Sequence, residues 1–147
     1  MNAGWSALGI GILTVIGCRQ GPPTTDRTSE MPAEATRVLE EADELQLLLF
    51  DDRLSSPVEK KRVTIRDRGV RARLIEALKK GVQDSHGWSK GCVHPRLYVI
   101  KASRGGKTTT FRISFECWGV HMSDPDLDFS TSDSPQPAFD AVLHTAQ

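Results

Sequence analysis

The sequence predicts an α+β fold, a two-layer domain with an antiparallel sheet of five or six strands and two helices packed on one face. Three observations predict it. After residue 44, several short segments place apolar side chains at every second position, which is the strand period. Turn-forming groups such as Arg104-Gly105-Gly106-Lys107 and Asp124-Pro125-Asp126 separate neighbouring segments closely enough for hairpins, so the strands run antiparallel. Two other stretches, one central and one C-terminal, carry the helical period instead, and helices set apart from a run of strands are the α+β pattern. The chain has 147 residues, 38% apolar and 26% charged, which suits one globular domain.

The elements follow in order. Glu34–Glu44 suits a short helix through Val38, Leu39 and Ala42. Glu44–Phe50 satisfies both periods: Leu45, Leu47 and Leu49 alternate with Glu44, Gln46 and Leu48, while Val38, Ala42, Leu45 and Leu49 also fit a helical stripe. A strand from about Leu45 to Asp51-Asp52 is the expectation. In Lys60–Arg66, Val63 and Ile65 alternate with Arg62 and Thr64, a half-buried strand. Asp67 then stands at an N-cap before Val70, Leu74, Ala77, Leu78 and Val82, with Lys79, Lys80 and Gly81 taken as the last turn and its left-handed stop. Arg96–Ala102 is a strand rich in β-formers. Thr108–Cys117 follows across the hairpin turn, with Phe111, Ile113, Phe115 and Cys117 on one face. Gly119 marks a bulge or bend before Val120 and Met122, and Leu127–Ser130 returns after the turn. Finally Ser134 caps a helix with Pro135 at its first position and Phe139, Val142, Leu143 and Ala146 as its stripe.

Charge is balanced overall and segregated along the chain. Lys plus Arg and Asp plus Glu number 19 each. Residues 62–115 hold thirteen basic against three acidic side chains, whereas residues 116–147 hold six acidic and no basic ones. A basic middle can mark a nucleic-acid surface. Here the cations alternate with apolar residues instead of clustering, and aromatic platforms for stacking bases are few. The expectation is that acidic and basic strands neutralise one another within the sheet and that nucleic acid is not a partner.

The N-terminus carries an address. Ala7–Gly17 is an apolar run of eleven residues, too short to span a bilayer but right for the core of a leader. It ends in Val15-Ile16-Gly17-Cys18, which resembles the lipobox of bacterial lipoproteins. That resemblance implies a signal peptide over 1–17, cleavage before Cys18, and fatty acylation of Cys18, palmitate included. The membrane would then be a partner through a lipid anchor. Residues 18–33, with Gly21-Pro22-Pro23, would form a flexible tether, and 34–147 the folded domain. Localisation would be the cell envelope, periplasmic or surface-facing. Arg19 stands where some lipoproteins carry an inner-membrane retention Asp, which favours the outer membrane.

A second resemblance rests on motifs spread over residues 62–147. They are Ala77-Leu78-Lys79-Lys80-Gly81-Val82, Cys92-x-x-Pro95-Arg96, Gly106-Lys107-Thr108, Phe115-Glu116-Cys117 and Ser134-Pro135-Gln136-Pro137-x-Phe139-Asp140. Together they resemble a family of uncharacterised bacterial secreted or lipid-anchored proteins. Leu97, Tyr98 and Ser114 stand where its members often have His, Gly and Cys. The family supplies no established activity.

With Cys18 assigned to lipid, export would put Cys92 and Cys117 in an oxidising compartment, where an even pair is most simply a disulfide. Two buried free thiols are an alternative. So is a zinc site of Cys92, His94, Cys117 and His121, which has the right donors for a tetrahedral centre but an uncommon spacing. A Cys–His nucleophile would need an orienting group and an oxyanion site that the sequence does not reveal. Asp124-x-Asp126-x-Asp128 reads as a solvated turn rather than a calcium loop. No catalytic residue, metal or cofactor is therefore expected. The first functional expectation is a non-enzymatic interaction or structural module of the envelope; the alternative is a small metal-binding protein or Cys/His-dependent enzyme.

Overall fold

The computed structural model describes residues 29–51, 56–92 and 96–145. Its elements are α1 (Ala33–Glu41), β1 (Glu44–Asp51), β2 (Val58–Ile65), α2 (Arg68–Ser85), β3 (Arg96–Arg104), β4 (Lys107–Ser114), β5 (Gly119–Ser123), β6 (Asp126–Ser130) and α3 (Gln136–Thr145). The six strands form one open sheet in the order β2-β1-β3-β4-β5-β6, and every neighbouring pair is antiparallel. The expected α+β class is the observed one. The helical layer holds three helices, because α1 packs beside the two longer ones.

Register explains the layering. Reading across the sheet, Ile65, Leu45 and Ala102 stand in one row, and Val63, Leu47, Ile100, Phe111, Met122 and Leu127 in the next. Side chains alternate between faces with period two, so these rows point to one side. Ala35 and Leu39 of α1, Leu74, Ile75 and Leu78 of α2, and Phe139 and Leu143 of α3 pack onto it in a single cluster. The residues between them point to the second face, where the row Arg62, Leu48, Val99, Arg112, His121 and Asp128 crosses all six strands. Among the described residues, no helix covers that face.

The ambiguous segment 44–50 is a strand because its alternation matches neighbours on both sides. Leu45 pairs with Ile65 and Ala102, and Leu47 with Val63 and Ile100, so one face of β1 enters the core between β2 and β3. The α2 start is as expected: Asp67 Oδ1 accepts from Val70 N at 2.8 Å. Its end is not. The helix runs on to Ser85 and stops at His86, whose φ of 49° supplies the left-handed turn that Gly81 was expected to give. Gly81 lies inside the helix for a different reason. Its carbonyl accepts from Ser132 N at 2.8 Å, and a Cβ there would stand under 3.0 Å from the Pro135 ring and Thr131 Oγ1.

Three smaller expectations also change. β4 ends at Ser114, so Cys117 belongs to the turn after it and not to the apolar strand face. Gly119 opens β5 in regular register with Ser114 and Ser130 instead of bulging. The Ser134 hydroxyl donates to Asp84 Oδ2 at 2.9 Å, tying the α3 entry to α2 rather than capping its own helix.

The segregated charges meet in space. Arg66 pairs with Glu44 at 3.0 Å, Lys79 with Glu40 at 2.8 Å and Lys107 with Asp124 at 2.8 Å, while Arg104 pairs with Glu41. Each joins the basic middle to an acidic flank, either the C-terminal stretch or residues 19–61, which hold ten acidic against six basic side chains. Such exposed pairs add little stability one by one, but they place the compensating charge beside its partner.

Candidate functional site

Three assemblies of polar side chains stand out, two adjoining at the surface and a third set into the core. The first is the turn between β4 and β5. Cys92 and Cys117 lie there at disulfide distance, with Cα atoms 5.5 Å apart. Cys92 is exposed and Cys117 half-buried, so the alternative of two buried thiols does not hold. Lys90 N donates to the Cys117 carbonyl at 2.8 Å, and Lys90 Nζ sits 3.9 Å from the centre of the Trp118 ring. Trp118 has a φ of 57°, and its buried Nε1 has no hydrogen-bond partner. These contacts fasten the segment after α2 onto the turn.

The second assembly is a cavity of about 400 Å³ on the second sheet face, next to that turn. Leu97, Arg112, Ser114, His121, Asp128 and Ser130 line it, with Ser89 from the fastened segment on one side. Strand alternation puts Arg112, His121 and Asp128 in one row, and register makes them neighbours: Arg112 opposite His121, and His121 opposite Asp128. His121 Nδ1 lies 3.0 Å from Asp128 Oδ1 and 3.6 Å from Asp126 Oδ1. The bond to Asp128 orients the ring and leaves Nε2 free of that contact.

The third assembly unites residues of the scattered motifs. Tyr98 is 1% exposed, and its hydroxyl donates to Asp140 Oδ1 at 2.7 Å while accepting from Arg96. Burial pushes its phenol above the ordinary range, and donation to Asp140 adds to the effect. The bond to Tyr98 in turn raises Arg96. Around them, the ring centres of Phe115 and Phe139 lie 5.1 Å apart, and Tyr98 stands 5.0 Å from Phe115. Arg96, Phe115, Phe139 and Asp140, distant in sequence, thus converge on one phenol. This chemistry holds β3 to α3.

The sequence candidates separate accordingly. Cys92 and Cys117 come together. His121 belongs to the sheet-face cavity, bonded to Asp128. Cys18 and His94 lie outside the described residues. Among the described residues, no group of three His, Cys, Asp or Glu side chains is placed to hold a metal ion, and no helix is long and apolar enough to cross a membrane. Asp124 pairs with Lys107, while Asp126 and Asp128 face His121, so the three aspartates divide between partners. Sequence reasoning missed Arg112, the pairing of His121 with Asp128 and the Tyr98–Asp140 bond. Alternation alone could place Arg112 on the polar face, but its neighbours required the register of three strands.

No family model matches the chain, and no curated protein or solved structure matches it either.

Proposed function

We propose that this chain is a lipid-anchored, non-enzymatic interaction module of the cell envelope, acylated on Cys18, that presents the second face of its sheet. The observation that carries the reading is the one-sided layering: α1, α2 and α3 pack on one face, and the exposed side chains of Arg112 and Asp128 stand on the other. Leu48 and Val99 at the middle of that face are buried, but its β4–β6 end is open and carries a cavity, which suits it as a contact surface. The apolar run, the Val15–Cys18 lipobox and the Pro-bearing stretch behind it support the anchor. Lipid on Cys18 would hold the domain to the outer membrane without a spanning helix.

Metabolic labelling with a fatty-acid analogue tests the anchor. Wild-type chain should take up label and fractionate with membranes. Cys18→Ser should lose the label and either leave the membrane fraction or persist as an uncleaved precursor, since thioether formation needs the thiol. Equal labelling of the two overturns the reading.

In the oxidising envelope, Cys92 and Cys117 are joined as a disulfide. Their sequence separation is 25, and closing such a loop contributes about 3.5 kcal/mol in the chain-entropy model. Intact mass without reductant should be lighter by two hydrogens than after reduction. Replacing both with Ser should lower the melting temperature by roughly 10–20 °C. Two free thiols in protein taken from its own envelope would contradict the bond.

A further inference from the structure

The cavity on the second sheet face is bordered by two opposite charges that do not meet. Arg112 and Asp128 both line it, in one row of the sheet, with His121 between them. Two strand spacings put their backbones about 9–10 Å apart. His121 Nδ1 engages Asp128 Oδ1 at 3.0 Å, and Arg112 makes no ion pair among the described residues. Elsewhere this chain closes such pairs directly, as Arg62 does with Glu59 at 2.7 Å and Arg66 with Glu44 at 3.0 Å. A guanidinium and a carboxylate lining one hollow two strands apart form a recognition pattern for a molecule carrying the reverse charges.

We propose that the cavity binds a small zwitterion, with an oxyanion on Arg112 and an ammonium group on Asp128. The fork of N–H donors on Arg112 suits a carboxylate or phosphate better than any other side chain would. Asp126, 3.6 Å from His121 Nδ1, adds negative charge at the ammonium end. Leu97 offers an apolar surface for the carbon spacer, and the hydroxyls of Ser114 and Ser130 stand along the wall. Charge balance selects this class. A simple anion gains at Arg112 and is repelled at Asp128, and a simple cation meets the converse. A zwitterion gains at both ends. The volume of about 400 Å³ lies within the range of small-ligand pockets.

The inference rests on reading this face as the binding surface and not on the lipid anchor, so loss of acylation and loss of ligand are separate results. The test is a nuclear magnetic resonance titration of the full chain in non-ionic detergent. Glycylglycine and phosphoethanolamine are the probes, one with a carboxylate and one with a phosphate; acetate and ethylamine are the single-charge controls. Saturable shifts confined to Leu97, Arg112 and Gly119–Ser130 are expected with at least one zwitterion, half-saturating at least tenfold below either control. Which zwitterion binds identifies the oxyanion. Arg112→Gln, at an exposed position outside the core, should keep the folded spectrum and lose the saturation. The proposal is overturned if neither zwitterion saturates in the millimolar range, if a control binds as tightly, or if Arg112→Gln binds like wild type.

Discussion

Tyr98 shows how much one side chain can hold. It is the only tyrosine in the chain, it is fully buried, and its hydroxyl joins β3 to Asp140 of α3 at 2.7 Å. Tyr98→Phe removes one hydrogen bond and leaves the Asp140 carboxylate short of a donor, which costs about 1–3 kcal/mol. Solvent denaturation measures that loss. The phenol also gives a pH signature. Its folded pKa is raised above the unfolded value of about 10, so its contribution is fully present below pH ~10 and is lost as pH rises through the folded pKa. Tyrosinate absorbance, which reports this residue alone, should titrate above pH ~10 in the folded chain and return to the ordinary value in denaturant. Tyr98→Phe should reduce the alkaline loss, leaving the part that Lys79 contributes through Glu40 and Glu76. A phenol titrating alike in both states would contradict the buried bond. The sequence marked Tyr98 as a strand residue and as a departure from the family pattern, and not as a bonding partner. Its role depends on Arg96 two residues away and on Asp140 across the core, a coincidence that only folding creates.

At the scale of the element, periodicity was a sound guide where a segment meets its surroundings on one face. The β1 segment illustrates the limit. Its leucines fit two periods, and pairing with both β2 and β3 decided between them, a tertiary fact with no local signal. Helix α2 shows the opposite error, because Gly81 after two lysines had the local signature of a helix end. The glycine is there for close approach, with Pro135 and Thr131 against its Cα. Two effects compete in Gly81→Ala. Alanine favours a helix interior by about 1 kcal/mol, whereas forcing a methyl into a filled contact costs about 1–3 kcal/mol. The contact wins here, since Thr131 is fully buried and the Pro135 ring is stiff. Thermal melting should show Gly81→Ala destabilised, with part of the loss recovered by Pro135→Ala in the same chain. A stabilised single variant would show that the segment 131–135 yields easily. The cavity was less legible than either element. Cys92, Cys117 and His121 drew notice as reactive residue types, but Arg112 and Asp128 become a pair only when β4, β5 and β6 align.

In the whole molecule, every neighbouring pair of strands is also consecutive in sequence except one. β1 lies beside β3, although β2 and α2 come between them in the chain. The sheet is therefore two locally closed pieces, β2-β1 and β3-β4-β5-β6, joined along a single seam. Loop-closure entropy is concentrated in that joint, and on that ground its formation is expected to limit the rate of assembly. Ile100→Val, in the seam opposite Leu47, should slow refolding about two- to fourfold for a loss near 1 kcal/mol. Val120→Ala, in the β4–β5 hairpin, should instead chiefly hasten unfolding. Stopped-flow chevrons distinguish the two, and equal folding-limb effects would remove the seam from the transition state. The same joint has a consequence for cutting the molecule. A break in the backbone at Gly87–Ser89 severs no helix and no strand. It leaves one fragment with α1, β1, β2 and α2, and another with β3 through α3 and both Cys92 and Cys117. Each fragment keeps its own hairpins and half of one shared core, and the exposed margins of β1 and β3 are complementary templates. The two fragments would meet along the β1–β3 boundary and through α2 packed on α3 and β6, and α3 packed on β2, so reassembly would have to restore both the strand pairing and the helical layer.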